Sequence, residues 1–467
     1  MTIASINEKV GRHRWTICAL IFAATTINYL DRSVLGQLKP ILSAAGVFGA
    51  DKALQELNYS TVVICFQVAY ALGMLGAGKL IDRVGTKSGY GWSLTAWSFA
   101  AIGHAFGQHT WSFGFWRAAL GVSESGNFPA ANKTVAEWFP KKERAYATGL
   151  YNSGANVGAI VAPLYVPFMA KAWGWEWAFI LTGAVGLIWL VFWYALYDTP
   201  GAKLQSGKLS QREYDFIHSD ADEHDANQAV GDAAYVSWFR LLKFRQTWAF
   251  FFGKLLTDPI WWFYLFWLPS FLDGENARKT AAYLAAHAGY TGAPENIPGV
   301  ISWPIAVAVV YTISTIGSIY GGWLPKRLID GGMEANRARK TSMFVFALFP
   351  LSVLLASRLG AINTWLAVLT IGIATAAHQA WSANIFTTVS DMFPKRAVAS
   401  VTGIGGMAGA IGGILIARGA GLMLQHFTTL GRAEVGYGIL FMVCGLAYLT
   451  AWVVMQLLVP KFRKIEL

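Results

Sequence analysis

The chain has 467 residues, of which 55% are hydrophobic and only 13% are charged, and its formal net charge is +11. The apolar residues form repeated blocks of about 20 or more, the length that a helix needs to cross a bilayer. Because lipid accepts only helices or closed barrels, and no short segments of alternating polarity are visible, the composition predicts an all-α integral membrane protein.

Twelve membrane spans are predicted. In chain order they cover residues 15–38, 58–80, 88–107, 111–133, 145–170, 176–197, 247–271, 300–324, 341–359, 362–390, 397–424 and 436–458. The N-terminus, the loops after even-numbered spans and the C-terminus carry 24 Lys and Arg residues, whereas the opposite loops carry seven, among them Lys39. By the positive-inside rule we expect both termini in the cytoplasm. The positive charge is a topology signal, so no nucleic-acid partner is predicted.

The two halves of the chain repeat each other. Phe139–Gly149 matches Phe393–Gly403 at six of eleven positions, and Gly78–Arg83 is echoed by Gly322–Arg327. Two parallel six-helix halves, with a site between them near mid-membrane, are a known transporter plan. The predicted domains are an N-terminal six-helix bundle, a cytoplasmic central loop and a C-terminal six-helix bundle, covering residues 1–197, 198–246 and 247–467.

Two local patterns refine this plan. Ser210 and Glu213 have the spacing of a capping box, which predicts a short surface helix in the central loop. Spans five and eleven carry GxxxG spacings, which let helices approach closely. These glycines are Gly154, Gly158, Gly405, Gly409 and Gly413. Static packing explains most of them, and the alternative is that smooth faces allow the halves to rock.

Several stretches resemble known families. Gly78–Lys87 looks like the signature of the major facilitator superfamily between spans two and three. Asn28–Arg32 and Arg117–Pro129 resemble the anion:cation symporter family within it. Gly253–Pro269 and His378–Asn384 are similar to hexuronate transporters in particular. The resemblance covers essentially the whole chain and implies two pseudo-symmetric six-helix bundles. It also implies proton-coupled uptake of an anionic sugar acid, with Asp31 and Glu124 as the proton sites.

One departure from that family concerns span five. Galactonate transporters in the family carry a glutamine just after an Asn-Ser pair, whereas here Asn152 and Ser153 are followed by Gly154, Ala155 and Asn156. The sugar contact at this place must therefore differ, which argues against an aldonate substrate.

Asp31 and Arg32 lie side by side at membrane depth, where charges are costly unless they face a protein interior or a cavity. Arg32 shares one face of span one with Asn28 and Tyr29, whereas Asp31 is rotated about 100° away. Arg32 offers a planar fork to a carboxylate, Tyr29 offers a hydroxyl, and Asp31 can take up a proton. A neutral Asp31–Arg32 ion pair is the alternative, although adjacent helical residues face each other poorly.

Arg117 and Glu124 are seven residues apart, two turns along one face of span four. Burial raises the pKa of a carboxylate and a nearby guanidinium lowers it again. Glu124 is therefore a candidate for protonation when substrate draws its arginine away. A permanent Arg117–Glu124 bridge that holds the spans together is the alternative.

In the second half, Lys254 and Asp258 have i,i+4 spacing just before Pro259. Lys254 either binds the substrate or extends to the interface near the start of its span. His378 follows Glu124 by 254 residues, the offset of the longer repeat, and is either a substrate contact or a packed residue. The remaining substrate-binding candidates, which supply hydroxyl and amide groups or rings to a sugar, are Tyr70, Gln379, Trp381, Ser382 and Asn384.

Asp82, Arg83 and Lys87 are predicted to form a cytoplasmic gate. No cofactor or metal is predicted, because the three cysteines fall within spans and lack ligand spacing. An enzyme would need a nucleophile–base set or a metal cluster, and the sequence shows neither. The sequence thus favours a monomeric proton-coupled hexuronate symporter of the bacterial inner membrane, with the lipid bilayer, protons and a sugar acid as partners. An aldonate or aldarate symporter and a transporter-like membrane sensor are the alternatives.

Overall fold

The computed structural model describes residues 10–219, 238–393, 395–463 and 465, and it contains helices and no strands within them. In the first half α1 to α9 are His13–Ala44, Lys52–Val84, Thr86–Gly103, Thr110–Glu124, Asn127–Trp138, Lys141–Trp173, Trp175–Leu196, Pro200–Gln205 and Gln211–Ile217. In the second half α10 to α17 are Trp238–Leu241, Arg245–Ala286, Trp303–Asp330, Ala335–Leu348, Ala356–Ile362, Thr364–Met392, Lys395–Thr429 and Ala433–Leu458.

Each of the twelve predicted spans coincides with one long helix or with a short succession of helices. Span four is divided into α4 and α5 by Ser125 and Gly126. Span nine is divided into α13 and α14 by a 3-10 segment, Phe349–Leu355. Seven of the described helical segments are long and apolar enough to cross a membrane by length and composition alone. The prediction of an all-α, twelve-span membrane fold is confirmed.

The described residues divide into two compact units. The first contains the described residues up to Val34, Cys65–Val161, and the described residues from Met169 to 219. The second contains Leu35–Ile64, Ala162–Phe168 and the described residues from 238 onwards. The helices α1, α2 and α6 therefore each contribute to both units. The division into bundles at the central loop stays a prediction.

Small residues bring helices together inside each unit. In the first unit, a Cβ on Gly183 of α7 would lie 2.6 Å from the carbonyl oxygen of Ser98 on α3. In the second, a Cβ on Gly317 of α12 would meet the backbone of Ala376 on α15. Large apolar side chains such as Trp111 remain exposed on the helix surfaces. This distribution suits helices whose outer faces contact lipid.

The predicted surface helix of the central loop is confirmed as α9. The hydroxyl of Ser210 accepts a hydrogen bond from the backbone N–H of Glu213, as an N-cap does. The Glu213 side chain does not complete the box, because its carboxylate is instead bonded to Arg14. The helix is therefore attached to the start of α1.

Candidate functional site

Arg32 and Glu124 form a buried ion pair in the first unit. Arg32 lies on α1, and Glu124 is the last residue of α4, immediately before the break in that span. Nε and Nη2 of Arg32 both donate to Oε2 of Glu124, at 3.0 and 2.8 Å. Among the described residues, the other oxygen of Glu124, Oε1, has no hydrogen-bond partner. Glu124 thus holds the guanidinium through a single oxygen.

Aromatic rings surround the guanidinium of Arg32. Its Cζ lies 4.9 Å from the ring centroid of Tyr29, 5.1 Å from that of Phe66 and 4.8 Å from that of Tyr70. The rings of Phe66 and Tyr70 stack on each other. Such rings attract a cation through their faces without neutralising it. The rings therefore stabilise the arginine in place, and Glu124 remains its anionic partner.

Arg117 braces the same region from α4. It is fully buried, and its Nη2 donates to the backbone carbonyl of Arg32 at 3.2 Å. Its Cζ also lies 4.9 Å from the ring of Phe66. Glu124 is paired with Arg32 on α1, a partner that the seven-residue spacing within span four did not indicate.

Asp31 and Asn28 complete the cluster on α1. The Oδ1 of Asn28 accepts from Nη2 of Arg32 at 3.3 Å, which orients the guanidinium. Asp31 is 2% exposed and lies within electrostatic range of Glu124 and Arg117. In the part of the chain that the structure describes, Asp31 forms no salt bridge, so the alternative of a structural Asp31–Arg32 pair is absent.

A second polar cluster lies in the other unit around His378. Its Nδ1 is 2.7 Å from the hydroxyl of Tyr448 on α17, and its ring stacks on Trp261 at a centroid distance of 5.2 Å. Trp261 in turn meets Tyr311 edge-on. Trp381 packs edge-on against Tyr448, and its indole N–H has no partner among the described residues. Four helices thus contribute to one aromatic cluster with polar edges.

Lys254 is buried beside this cluster. It is 5% exposed and binds Asp258 at 2.7 Å, with its ammonium 4.3 Å from the ring of Phe386. The carboxylate of Asp258 in turn abuts Gly409 on α16, where a Cβ would lie 2.3 Å from Oδ2. The lysine is thus turned towards Asp258 inside the unit.

The other predicted residues of α15 have different surroundings. Asn384 is buried and donates to the carbonyls of Gly321 and Ala380 at 2.7 and 2.8 Å. It therefore fastens α15 to α12. Gln379 and Ser382 are partly exposed on the same helix.

The predicted gating residues are spread over two helices. Arg83 is exposed at the end of α2, and the side chain of Asp82 lies outside the described residues. Lys87, on α3, binds Asp198 at 2.9 Å. Partial burial acts to raise the pKa of Asp198, but hydrogen bonds from Lys87 and from the backbone N–H of Thr199 lower it overall. The ionised form of Asp198 is therefore favoured.

Two further buried cations lie on α1, although Arg14 had been counted with the N-terminus and Lys39 with a loop. Arg14 is fully buried and Lys39 is 2% exposed, so both belong to the packed part of α1 rather than to the segments that flank the predicted span. Arg14 binds Glu143 and Glu213, and Lys39 binds Glu56. In an ideal helix, residues 14, 32 and 39 fall within about 20° of one face. The recurrence of cations on one face of α1 is the sequence signal that could have indicated that Arg14 and Lys39 are buried.

Comparisons with known proteins agree with this fold. The family model of the Major Facilitator Superfamily matches residues 21–417. The chain is 27% identical to the hexuronate transporter of Escherichia coli (strain K12), over 96% of this chain and 95% of that protein. It is also 27% identical to the D-galactonate transporter of Escherichia coli O6:H1 (strain CFT073), over 91% and 93%. The inward open structure of the xylose transporter XylE from E. coli matches with a TM-score of 0.71 at 12% identity, covering 96% and 97% of the two chains.

Proposed function

Because the chain belongs to the Major Facilitator Superfamily and is a multi-pass membrane transporter rather than an enzyme, we propose that it imports an anionic sugar acid together with protons. Hexuronates, namely glucuronate and galacturonate, are the substrates that we assign first. In this proposal the protein is a monomer in a bacterial inner membrane, works by alternating access and has both termini in the cytoplasm.

The contact between Arg32 and a single oxygen of Glu124 carries the proposal. A guanidinium suits two parallel hydrogen bonds to one carboxylate. A substrate carboxylate that offers both of its oxygens can therefore displace Glu124 from Arg32. A carboxylate left in a low dielectric without its cation favours the protonated form. Substrate binding and proton uptake are then linked through one arginine.

Charge balance leads to the same link. Arg32 and Glu124 together are neutral, so an incoming anion adds one negative charge to a buried site, which is costly. One proton on Glu124 restores neutrality. Asp31, the neighbour of Arg32, is the second proposed proton site.

The sugar itself needs groups of another kind. Tyr29 and Tyr70 border Arg32 and carry hydroxyls. In the second unit, His378 and Trp381 supply rings and N–H groups around Tyr448. Pockets that combine apolar rings with a few polar groups are typical of small-molecule sites. We assign these residues, with Gln379 and Ser382, to the sugar hydroxyls and ring.

An aldonate or aldarate is the second candidate substrate. The similarity to the D-galactonate transporter, which equals the similarity to the hexuronate transporter in identity, favours it. Gly154, Ala155 and Asn156 supply no glutamine after the Asn-Ser pair of span five. For this reason the hexuronates come first.

Uptake into proteoliposomes tests the proposal. With an acidic exterior, we expect labelled glucuronate to accumulate and galacturonate to compete better than galactonate or glucarate. Glu124→Gln should keep substrate exchange across the membrane but lose accumulation driven by the pH gradient. Glu295→Gln, a change of an exposed carboxylate, is the matched control and should behave as the unmodified protein.

Each other outcome has a defined meaning. Proton-driven accumulation that persists in Glu124→Gln would refute the coupling role of Glu124, and the same assay on Asp31→Asn would then test the neighbour. Binding of glucuronate without any accumulation by the unmodified protein would favour a sensor. Preference for galactonate would favour the aldonate class.

A further inference from the structure

Lys39 and Glu56 form a buried ion pair within the second unit. Lys39 lies near the end of α1, and Glu56 lies near the start of α2. The ammonium of Lys39 is 2.8 and 2.7 Å from the two oxygens of Glu56. The lysine is 2% exposed, and the Glu56 side chain is 18% exposed. The cation is therefore hidden while its partner retains a path to the surface.

Two aromatic rings cover the ammonium of Lys39. It lies 4.6 Å from the ring centroid of Tyr59 and 5.8 Å from that of Trp267 on α11. Tyr59 is fully buried and donates from its hydroxyl to the carbonyl of Phe266 at 2.8 Å. The pair thus lies against α11. The ammonium of Lys39 contacts the ring of Trp267, and the neighbouring Tyr59 is hydrogen-bonded to Phe266.

Close backbone packing surrounds the pair. A Cβ on Gly36 of α1 would lie 2.6 Å from the carbonyl oxygen of Leu265 on α11. A Cβ on Gly421 of α16 would lie 2.2 Å from the hydroxyl of Ser60 on α2. The helices therefore pack closely at these two places.

Lys39 also lies on the face of α1 that carries Arg32, the residue proposed to bind the substrate carboxylate. It follows Arg32 by seven residues, which is two turns and about 10 Å along an ideal helix. An anion that travels along this face meets Lys39 first, if it enters from the end of α1 opposite Arg14. The proposed topology puts that end on the outside.

The chemistry of the pair allows a partner exchange. Removing one member of a buried ion pair is strongly unfavourable, because the remaining charge is left uncompensated. Replacing Glu56 by another carboxylate leaves Lys39 paired. A monoanion is therefore suited to separate α2 from Lys39, whereas a neutral sugar is not.

We propose that Lys39 is an entry site for carboxylate substrates, at which the arriving anion displaces Glu56 and so releases the contacts of α1 and α2 with α11 and α16. This inference rests on the proposed function for the identity of the anion. The release itself depends only on the Lys39–Glu56 pair. We call the Lys39–Glu56 pair a latch, because it separates when a carboxylate substrate binds Lys39 and stays intact in the presence of neutral sugars.

A cysteine at Ser60 reports this opening. Ser60 is fully buried, so Ser60→Cys, in a background without the three native cysteines, should react slowly with a membrane-impermeant maleimide. Glu56→Gln should speed the reaction at least about tenfold without substrate, because an unpaired buried charge costs more than the roughly 1.4 kcal/mol that tenfold represents. Lys52→Met, a change of an exposed lysine on the same helix, should have no effect. Ala45→Cys, at an exposed position, gives the rate of full reaction.

A variant with the two charges exchanged distinguishes loss of the ion pair from general misfolding. The double variant Lys39→Glu with Glu56→Lys restores opposite charges at the two positions, so labelling should return towards the slow rate. Labelling that stays equally slow in Glu56→Gln, Lys39→Met and the unmodified protein would overturn the latch. Fast labelling in the single variants that the exchange does not slow would also overturn it, because a general loss of packing would then explain both.

The response to glucuronate tests whether Lys39 binds the substrate or only holds the helices together. In the unmodified pair, glucuronate should raise the labelling rate of Ser60→Cys, and glucose should not. In uptake, Lys39→Met should raise KM about tenfold with kcat little changed, and Lys39→Arg should recover most of the loss. If glucuronate is transported yet leaves labelling unchanged, this inference is wrong and the proposed function stands. If no sugar acid is bound or transported, the proposed function is wrong and the carboxylate role of Lys39 falls with it.

Discussion

Replacing Arg14 by methionine is the most informative test of the first unit. Arg14 joins three segments that are distant in the chain. Its Nε donates to Glu143 at the start of α6 at 2.9 Å, and its Nη1 lies 3.4 Å from Glu213 of α9. Its Nη1 also donates to the carbonyl of Gly11 at 2.7 Å. All three charged side chains are at least nine-tenths buried.

The expected cost follows from this burial. Arg14→Met keeps an unbranched apolar stem but leaves two buried carboxylates without their cation. Breaking a buried ion pair by removing one partner costs about 3–5 kcal/mol. Arg14→Lys keeps the charge and loses the fork, so it should cost about 1–3 kcal/mol, the penalty of unmade hydrogen bonds. Arg12→Met, which removes an exposed charge two residues away, should be nearly neutral.

The assay is unfolding of the purified protein in detergent, followed by loss of helix, with limited proteolysis in parallel. Arg14→Met should unfold at lower denaturant concentration and expose the region of α9 to cleavage, because Glu213 is then released. The triple variant Arg14→Met, Glu143→Gln, Glu213→Gln should regain much of the stability, since replacing all members of a buried ion group by neutral side chains is often tolerated. If Arg14→Met matches Arg12→Met in both assays, the cluster does not hold α9 and the reasoning fails.

Three further predictions concern packing and substrate contacts. Gly158→Leu should abolish uptake, because a Cβ there would lie 2.5 Å from the carbonyl of Thr26; normal uptake would contradict the close contact. His378→Phe keeps a ring but loses the bond to Tyr448, so KM should rise by about 2- to 13-fold while the accumulation ratio is unchanged; loss of accumulation would instead assign His378 to coupling. Lys254→Met and Asp258→Asn should show a coupling of about 0.5–3 kcal/mol in a double-mutant cycle of unfolding; additive effects would mean that their 2.7 Å contact contributes nothing.

The sequence predicted the helices well because the bilayer imposes their length and apolarity. It predicted their ends less well. The span predicted at 247–271 is part of α11, which continues to Ala286, so a segment predicted to be loop is helical. Hydropathy falls at Asp273, but backbone hydrogen bonding does not depend on apolarity. A helix can therefore continue beyond the membrane with polar residues, and hydropathy marks only its apolar part.

Spacing predicted which side chains share a face, but it did not predict their partners on other helices. Asn28, Tyr29 and Arg32 do act together, with the amide and the ring both at the guanidinium. The pairing of Glu124 with Arg32 depends on how α4 packs against α1, and no spacing within one helix contains that information. Phe66 was missed for the same reason, because an apolar ring has no chemical motif.

The three buried cations of α1 have the same arrangement. Arg14, Arg32 and Lys39 share a face, and each binds a glutamate from another segment of the chain. At Arg32 and at Lys39 one cation faces one glutamate, so an external carboxylate can take the place of that glutamate at the cation, whereas a neutral molecule would leave the cation unpaired. Arg14 differs because it binds two glutamates, Glu143 and Glu213, from two other helices. We therefore expect the ion group at residue 14 to stay intact during transport, because an anion would have to displace two carboxylates there, whereas it would displace only one at residue 32 or at residue 39.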